Sequence, residues 1–361
     1  MKDVKFYEIN RYSDLAIEAV IKSFINERIK DGKKKVLLKP NLLLGAEPDR
    51  AVTTHPLFLE RIINSLKDSG IINIFLADSP GVHYMEYERV LRKTGIAEVC
   101  AKNDIAILKV EKYKPKKFND IYFSSIVDDM DLIINIPKLK THSLMGLTLG
   151  VKNLFGLIPG TNKVQMHRTY PNNDKLALKL YEFSKLLRPK TIHILDGIIG
   201  MQGEGPSRGE PVNTALIAMS DDATAMDIAT TEILNLPINF CKTNKAAIST
   251  DFDKKQIRIE RNNLSFKRKI KKPLSYGVNL IPSFIRQAFA NAIYIKPVID
   301  QRKCTHCKYC YRICPAGAIN IENNMLTVDK HVCFECFCCY EICEYNAINL
   351  TRSFMHRVFV K

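Results

Sequence analysis

Eight of the eleven cysteines fall into two runs near the C-terminus, Cys304-x-x-Cys307-x-x-Cys310-x-x-x-Cys314-Pro315 and Cys333-x-x-Cys336-x-x-Cys339-x-x-x-Cys343. Three thiolates spaced by two residues can wrap one face of an iron–sulfur cubane, and the fourth, three residues on, serves the other cluster. This spacing predicts two [4Fe–4S] clusters with crossed ligands, Cys304, Cys307, Cys310 and Cys343 for cluster I and Cys333, Cys336, Cys339 and Cys314 for cluster II. In the second run Glu344 stands where proline is usual, which removes a rigid turn but no ligand. Cys338 would break the spacing if it replaced Cys339, so it reads as a spare thiol beside cluster II. Paired C-x-x-C motifs also bind zinc, but two complete four-cysteine runs favour iron–sulfur clusters.

A chain of 361 residues is too long for a ferredoxin-like module alone. The expected organisation is an α/β domain over 1–260, a basic connector with one helix over 261–300 and the cluster module over 301–361. No apolar, small-residue leader opens the sequence and no apolar run nears the twenty or so residues that span a bilayer. Cys100 and Cys241 are too isolated for a disulfide framework, so a reduced cytoplasm is the simplest setting.

The net charge of +16 raises nucleic acid as a partner, but its distribution argues against one. Residues 301–350 carry five basic and five acidic side chains, and the loaded clusters add roughly −4. The basic excess concentrates in 261–300, from Arg261 through Lys267, Arg268, Lys269, Lys271 and Lys272 to Arg286 and Lys296. Two readings stay open for it: a solvated linker, or a docking surface for an acidic ferredoxin module, its own or that of a redox partner protein. A third places Leu280, Ile281, Phe284, Ile285, Phe289 and Ile293 on an interfacial membrane helix.

Residues 1–260 alternate β-branched apolar runs with helical patterns, the signature of an α/β fold with a largely parallel sheet and Rossmann-like layers. Strands are expected at Val4–Ile9, Lys35–Lys39, Asn73–Ala77, Ile105–Val110, Asp131–Ile136, Thr191–Leu195 and Thr214–Met219. Helices are expected from a Ser13 cap to Ile29, over Pro56–Ser69 closed by Gly70, and over Asp174–Leu187 and Asp222–Leu234. The small α+β dicluster module then follows.

Ligands of open α/β sheets sit beyond the strands' carboxyl ends, and polar motifs fall there. They are Lys39-Pro40-Asn41, Thr54-His55-Pro56, Asp78-Ser79-Pro80-Gly81, Lys138-Leu139-Lys140-Thr141-His142, Val151-Lys152-Asn153-Leu154-Phe155-Gly156 and a glycine-rich stretch from Asp196-Gly197 to Gly205-Pro206. In this order, ahead of a dicluster run, these motifs resemble the DUF362 family of iron–sulfur proteins over about residues 30–350. The resemblance implies two [4Fe–4S] clusters and an α/β domain, and supplies neither substrate nor catalytic residues.

The residues themselves suggest a cationic cleft. Lys39, Asn41, Lys138, Lys140, Lys152 and Asn153 would bind an anionic small-molecule substrate, helped by the dipole of a helix beginning near Thr141. His142, His55, Asp78 and Asp196 are the catalytic candidates, with His142 or His167 as proton donor. The same His55, Asp78, His142 and Asp196 could instead hold a further metal. Nucleotide fingerprints are missing, since Gly203-x-Gly205 continues with Pro206 and no G-x-x-x-x-G-K-[ST] occurs; a flavin or an additional metal stays open. The expected function is an oxidoreductase passing electrons from the clusters to the α/β site. The alternatives are an electron carrier whose α/β domain only docks a partner enzyme, and a non-redox α/β enzyme with structural clusters. Oligomeric state stays open.

Overall fold

The computed structural model describes residues 1–30, 32–80, 86–264, 268–273 and 294–353. A ten-stranded mixed sheet organises the first part. Its strands are β1 (Lys2–Glu8), β2 (Val36–Pro40), β3 (Ile74–Ala77), β4 (Ala106–Leu108), β7 (Leu132–Ile136), β8 (Lys138–His142), β9 (Gly146–Thr148), β10 (Thr191–Gln202), β11 (Glu210–Ser220) and β12 (Ile257–Asn262). A separate hairpin, β5 (Pro115–Phe118) and β6 (Ile121–Ser124), lies between β4 and β7. The order is β12-β1-β11-β10-β7-β2-β3-β4, parallel from β10 to β4. The seven expected strands are all present within a few residues, and the α/β class with a mostly parallel sheet holds.

Both faces of the sheet are covered because its central strands are apolar on both sides. Val36 and Leu38 of β2 join one core with Phe58, Ile62 and Leu66, whereas Leu37 between them joins another with Leu176, Leu180 and Phe183. This is the period-2 alternation of a strand sandwiched between helix layers. Proline at the first helical position starts the helix Pro56–Lys67, and its apolar stripe faces inward.

Where the chain runs from β2 through β3 and β4 and then returns to β7 on the other side of β2, the strand order reverses. Such a switch point leaves a crevice at the strand ends. Here it opens beside Lys39 and Asn41, at the end of β2.

Several local expectations are corrected. No helix begins near Thr141: Lys138–His142 continues β7 past Pro137 as strand β8, pairing with β10 and, antiparallel, with β9. All five of its residues are buried, so the lysines are held by strand pairing and interior partners. The glycine-rich stretch is largely strand as well, because β10 runs on to Gln202. Its close approach is to backbone, since a Cβ on Gly205 would lie 2.0 Å from Thr141 O. Ser13 is not the helix cap; the helix begins at Ala16, whose N–H donates to Asp14 Oδ1 at 2.9 Å.

The cysteine-rich module begins before Gln301. β13 (Ile295–Ile299) pairs antiparallel with β16 (Ile348–Arg352), and β14 (Ile319–Glu322) with β15 (Met325–Val328), around short helices Tyr309–Ile313 and Cys338–Ile342. Its Ile295, Ile319, Leu326 and Ile348 share a core with the α/β domain. The helix expected in the connector, and with it the membrane-surface reading, lies outside the described residues. At its start Arg268 is buried, pairs with Glu8 at 2.9 Å and donates to Thr214 O at 2.7 Å, so this basic residue anchors the connector to the sheet. Arg89 pairs with Glu344 through two contacts of 3.0 and 2.5 Å, which gives the glutamate in the proline position a docking role.

The β8–β9 turn depends on Gly146, whose φ is +78° and whose added Cβ would stand 1.9 Å from Phe240 O. Gly146→Ala should therefore destabilise the fold by about 2–3 kcal/mol. Chemical unfolding of the two proteins measures this, and equal stability would contradict the turn as described.

Candidate functional site in the seam between the two domains

Asp78, just past β3, accepts from Lys39 Nζ at 2.8 Å, from Leu42 N at 2.6 Å and from Ser79 N at 2.8 Å. Lys39 is fully buried, and burial pushes its pKa down while Asp78 pulls it up. The backbone of Gly156 closes over this pair: a Cβ there would lie 1.8 Å from Asp78 Oδ1 and 2.4 Å from Lys39 Nζ. V-K-N-L-F-G must end in glycine for that reason.

A second buried pair, Lys138 with Asp196 at 2.8 Å, is closed by Tyr12, which accepts from Lys138 Nζ and donates to Asp196 Oδ1, both at 2.8 Å. The His55 ring caps the helix Pro56–Lys67 by accepting from Leu57 N and stacks on Tyr12 at 3.8 Å, while the His55 backbone N–H donates to Asp196 Oδ2 at 2.9 Å. Burial holds its pKa down at about 4. Lys138, Asp196 and His55 thus form an enclosed structural unit away from the cleft. His55 and Asp196 do not join His142 and Asp78, and among the described residues no group of three His, Cys, Asp or Glu side chains is drawn in tightly enough to hold a single metal ion.

The cleft itself encloses about 840 Å3 including its open mouth. Lys39, Asn41, Asp78, Lys140, His142, Lys152 and Asn153 of the expected set line it, together with Lys163 and His167. Its other wall belongs to the cysteine-rich module, through Ile313, Cys338, Glu341 and Ile342. A polar chain ties the floor: Lys140 Nζ donates to Asn41 Oδ1, Asn41 Nδ2 to Asn153 Oδ1, and Asn153 Nδ2 to Asn135 Oδ1, each at 2.8 Å. Lys152 and Lys163 hold their ammonium groups 5.2 and 5.7 Å from the Phe155 ring centre.

Burial, then the neighbouring Lys152 and Lys138, lowers Lys140 to about 7; burial lowers Lys163 to about 8. His142 accepts at Nδ1 from Leu144 N at 3.2 Å, which leaves the ring proton on Nε2. Burial, Lys152 and Lys140 keep His142 neutral, and burial with Lys152 lowers His167 to about 3. Both histidines are therefore neutral, and His142 keeps its ring proton on Nε2. Its Nε2 stands 3.6 Å from Glu341 Oε1, and both atoms, like Thr148 Oγ1, are buried without a hydrogen-bond partner among the described residues. Lys163, Thr148 and Glu341 escaped the sequence reading because none adjoins a strand-end motif. Glu341 had one available signal, its place one helical turn after Phe337 within the cysteine run.

The cysteine cradles suit a cluster. Left-handed residues at the same two places in each run, His306 and Lys308, then Glu335 and Phe337, wrap the chain around the thiols. The N–H groups of Ala318 and Ala347 donate to Cys314 and Cys343 Sγ at 3.2 and 3.4 Å, the kind of bond that tunes thiolates holding a cluster. One cavity of about 330 Å3 is lined by Cys314, Cys333, Cys336 and Cys339. The thiols acting on Cys310 are Cys307, Cys343 and Cys304, and burial raises it to about 12. Each cradle thus gathers three cysteines of one run and one of the other.

The fold and the site define an α/β protein with an iron–sulfur module across a lysine-rich cleft. Residues 36–232 match the family model described as a domain of unknown function, DUF362, and residues 296–319 match a 4Fe–4S binding domain. The chain belongs to the DUF362 family and carries a 4Fe–4S binding domain. It is 35% identical over 207 residues to a thylakoid-associated protein of Synechocystis sp., covering 56% of this chain and 63% of that one. A structural-genomics crystal structure from Thermotoga maritima shares 14% identity, with a TM-score of 0.39, over 60% of this chain and 57% of the other. The lactate racemase apoprotein from Thermoanaerobacterium thermosaccharolyticum shares 13%, with a TM-score of 0.38, over 61% and 54%. Among the described residues no helix is long and apolar enough to cross a membrane.

Asp196→Asn should leave the Lys138 ammonium buried without its counter-charge and cost about 3–5 kcal/mol of stability. Urea titration measures it; a loss below about 1 kcal/mol would free Asp196 for a chemical role instead.

Proposed function

We propose that this chain is an iron–sulfur oxidoreductase in which two [4Fe–4S] clusters supply electrons to an anionic substrate bound in the seam cleft. One observation carries the reading: the lysine-rich wall at the switch point faces the helix Cys338–Ile342, which also bears Cys339 of the second cysteine run. A substrate held by Lys140, Lys152 and Lys163 would touch the polypeptide that holds a cluster. Cluster I would be held by Cys304, Cys307, Cys310 and Cys343, and cluster II by Cys333, Cys336, Cys339 and Cys314.

The clusters, when bound, supply electrons one at a time. The protein's own groups do the rest. Lys152 and Lys163 attract the anion, with little water to screen them. His142 donates a hydrogen bond from Nε2, and Thr148 offers a hydroxyl that has no partner among the described residues. Lys140, titrating near neutrality, is the proton source for the reduced product, since a donor is most effective when its pKa lies near the working pH. The electron donor is a redox protein, and a reduced cytoplasm suits the thiolate clusters. A pure carrier needs only a docking face, and the convergent lysine cleft favours the enzyme over it.

Anaerobic reduction with dithionite, followed by EPR and iron counting, tests the carrier half. Coupled [4Fe–4S]+ signals with about eight iron atoms are expected, and Cys338→Ser should keep them; zinc in place of iron would sink the reading. Reoxidation of the reduced protein by a panel of organic carboxylates tests the cleft. Lys140 is cationic below about pH 7 and neutral above it. The rate of any active carboxylate should therefore fall as pH rises through that range, and Lys140→Met should remove the step. A pH-independent rate would take Lys140 out of the chemistry.

A further inference from the structure

A second cavity, about 540 Å3 with its mouth, lies elsewhere on the seam, between the turn after β10 and the cysteine-rich module. Arg208 and Glu204 line it from the α/β side, facing Tyr340, Asn349 and Arg352 of the module. The Arg208 guanidinium carbon lies 4.1 Å from the Tyr340 ring centre, and Nη1 donates to Ile348 O. Nε and Nη2 are buried and have no hydrogen-bond partner among the described residues. These two N–H groups form the edge with which arginine grips an anion side by side, and a buried donor pair of this kind calls for an acceptor. Burial lowers the Arg208 pKa, and Tyr340, Cys343 and Cys339 oppose it, Tyr340 through a side-chain hydrogen bond as well as its charge. Tyr340, under the guanidinium, adjoins Cys339 of one cradle, and Ile348, which accepts from it, opens the strand that follows Cys343 of the other, so Arg208 lies at the junction of both.

We propose that Arg208 is an electrostatic tuning residue, supplied across the domain seam, that raises the reduction potentials of both clusters. Each cluster gains one negative charge on reduction, and a buried cation held nearby stabilises the reduced form over the oxidised one. Because Arg208 belongs to the α/β domain, the potentials depend on that domain staying docked. This inference rests on the two-cluster reading above and is independent of which substrate the cleft takes.

EPR-monitored redox titration of the full chain, with iron counting, tests it in Arg208→Gln and Arg208→Lys. Arg208→Gln should move both midpoints to more negative values, and Arg208→Lys, which keeps the charge but loses the forked edge, should fall between it and the parent. Unchanged midpoints in an iron-replete Arg208→Gln protein would overturn the proposal. So would loss of iron from both Arg208→Gln and Arg208→Met, which would make the residue a structural clasp. A parent protein with a single cluster would overturn it through its basis, and iron counting separates that failure from the others.

Discussion

A lysine ammonium shut away from water needs a carboxylate beside it, and the strand ends of this protein are built around that requirement. Lys39 and Lys138 are fully buried, matched to Asp78 and Asp196 at 2.8 Å each. The pairing draws the rest of the switch point into place. Asp78 also collects the N–H groups of Leu42 and Ser79, which fixes the chain after β2 and β3. Gly156 lies so close to the pair that no side chain fits there, and this brings the helix bearing Lys152 and Asn153 down onto the crevice. Buried ion pairs contribute little net stability against apolar substitutes. Their effect here is to specify geometry, because breaking either pair leaves an uncompensated charge in the interior.

With the two aspartates satisfying two lysines, the remaining cations give the cleft its character. Lys140, Lys152 and Lys163 share the space with one carboxylate from across the seam, Glu341, and burial raises that group to about 7. The site is therefore completed by the cysteine-rich module. Neither half has the cleft alone, and the docking contacts, Arg89 with Glu344, Ser207 with Glu341 O and Arg208 with Ile348 O, act on site geometry as well as on stability.

The division between legible and illegible features follows range. Apolar strands, helix starts such as Pro56 and Asp222, and the turn at Gly70 are local and were readable from neighbouring residues. Strand β8 was not, because K-L-K-T-H has the composition of an exposed segment and is buried only through partners far along the chain. The same blindness grouped His55, Lys138 and Asp196 with the cleft, although Tyr12, more than a hundred residues away from Lys138, encloses them. It also made the histidines look like acids, since a histidine's charge depends on burial and neighbouring cations that no motif displays.

Sequence by itself determined the α/β class, the 4Fe–4S binding domain and the crowding of lysines after strands, because strand periodicity and cysteine spacing are short-range properties of the chain. Tertiary structure alone decided which lysines are neutralised and which face the cleft, and that the helix Cys338–Ile342 forms its far wall. Charge state and enclosure are set by desolvation and by partners brought together from distant segments, and those exist only once the sheet has formed and the module has docked.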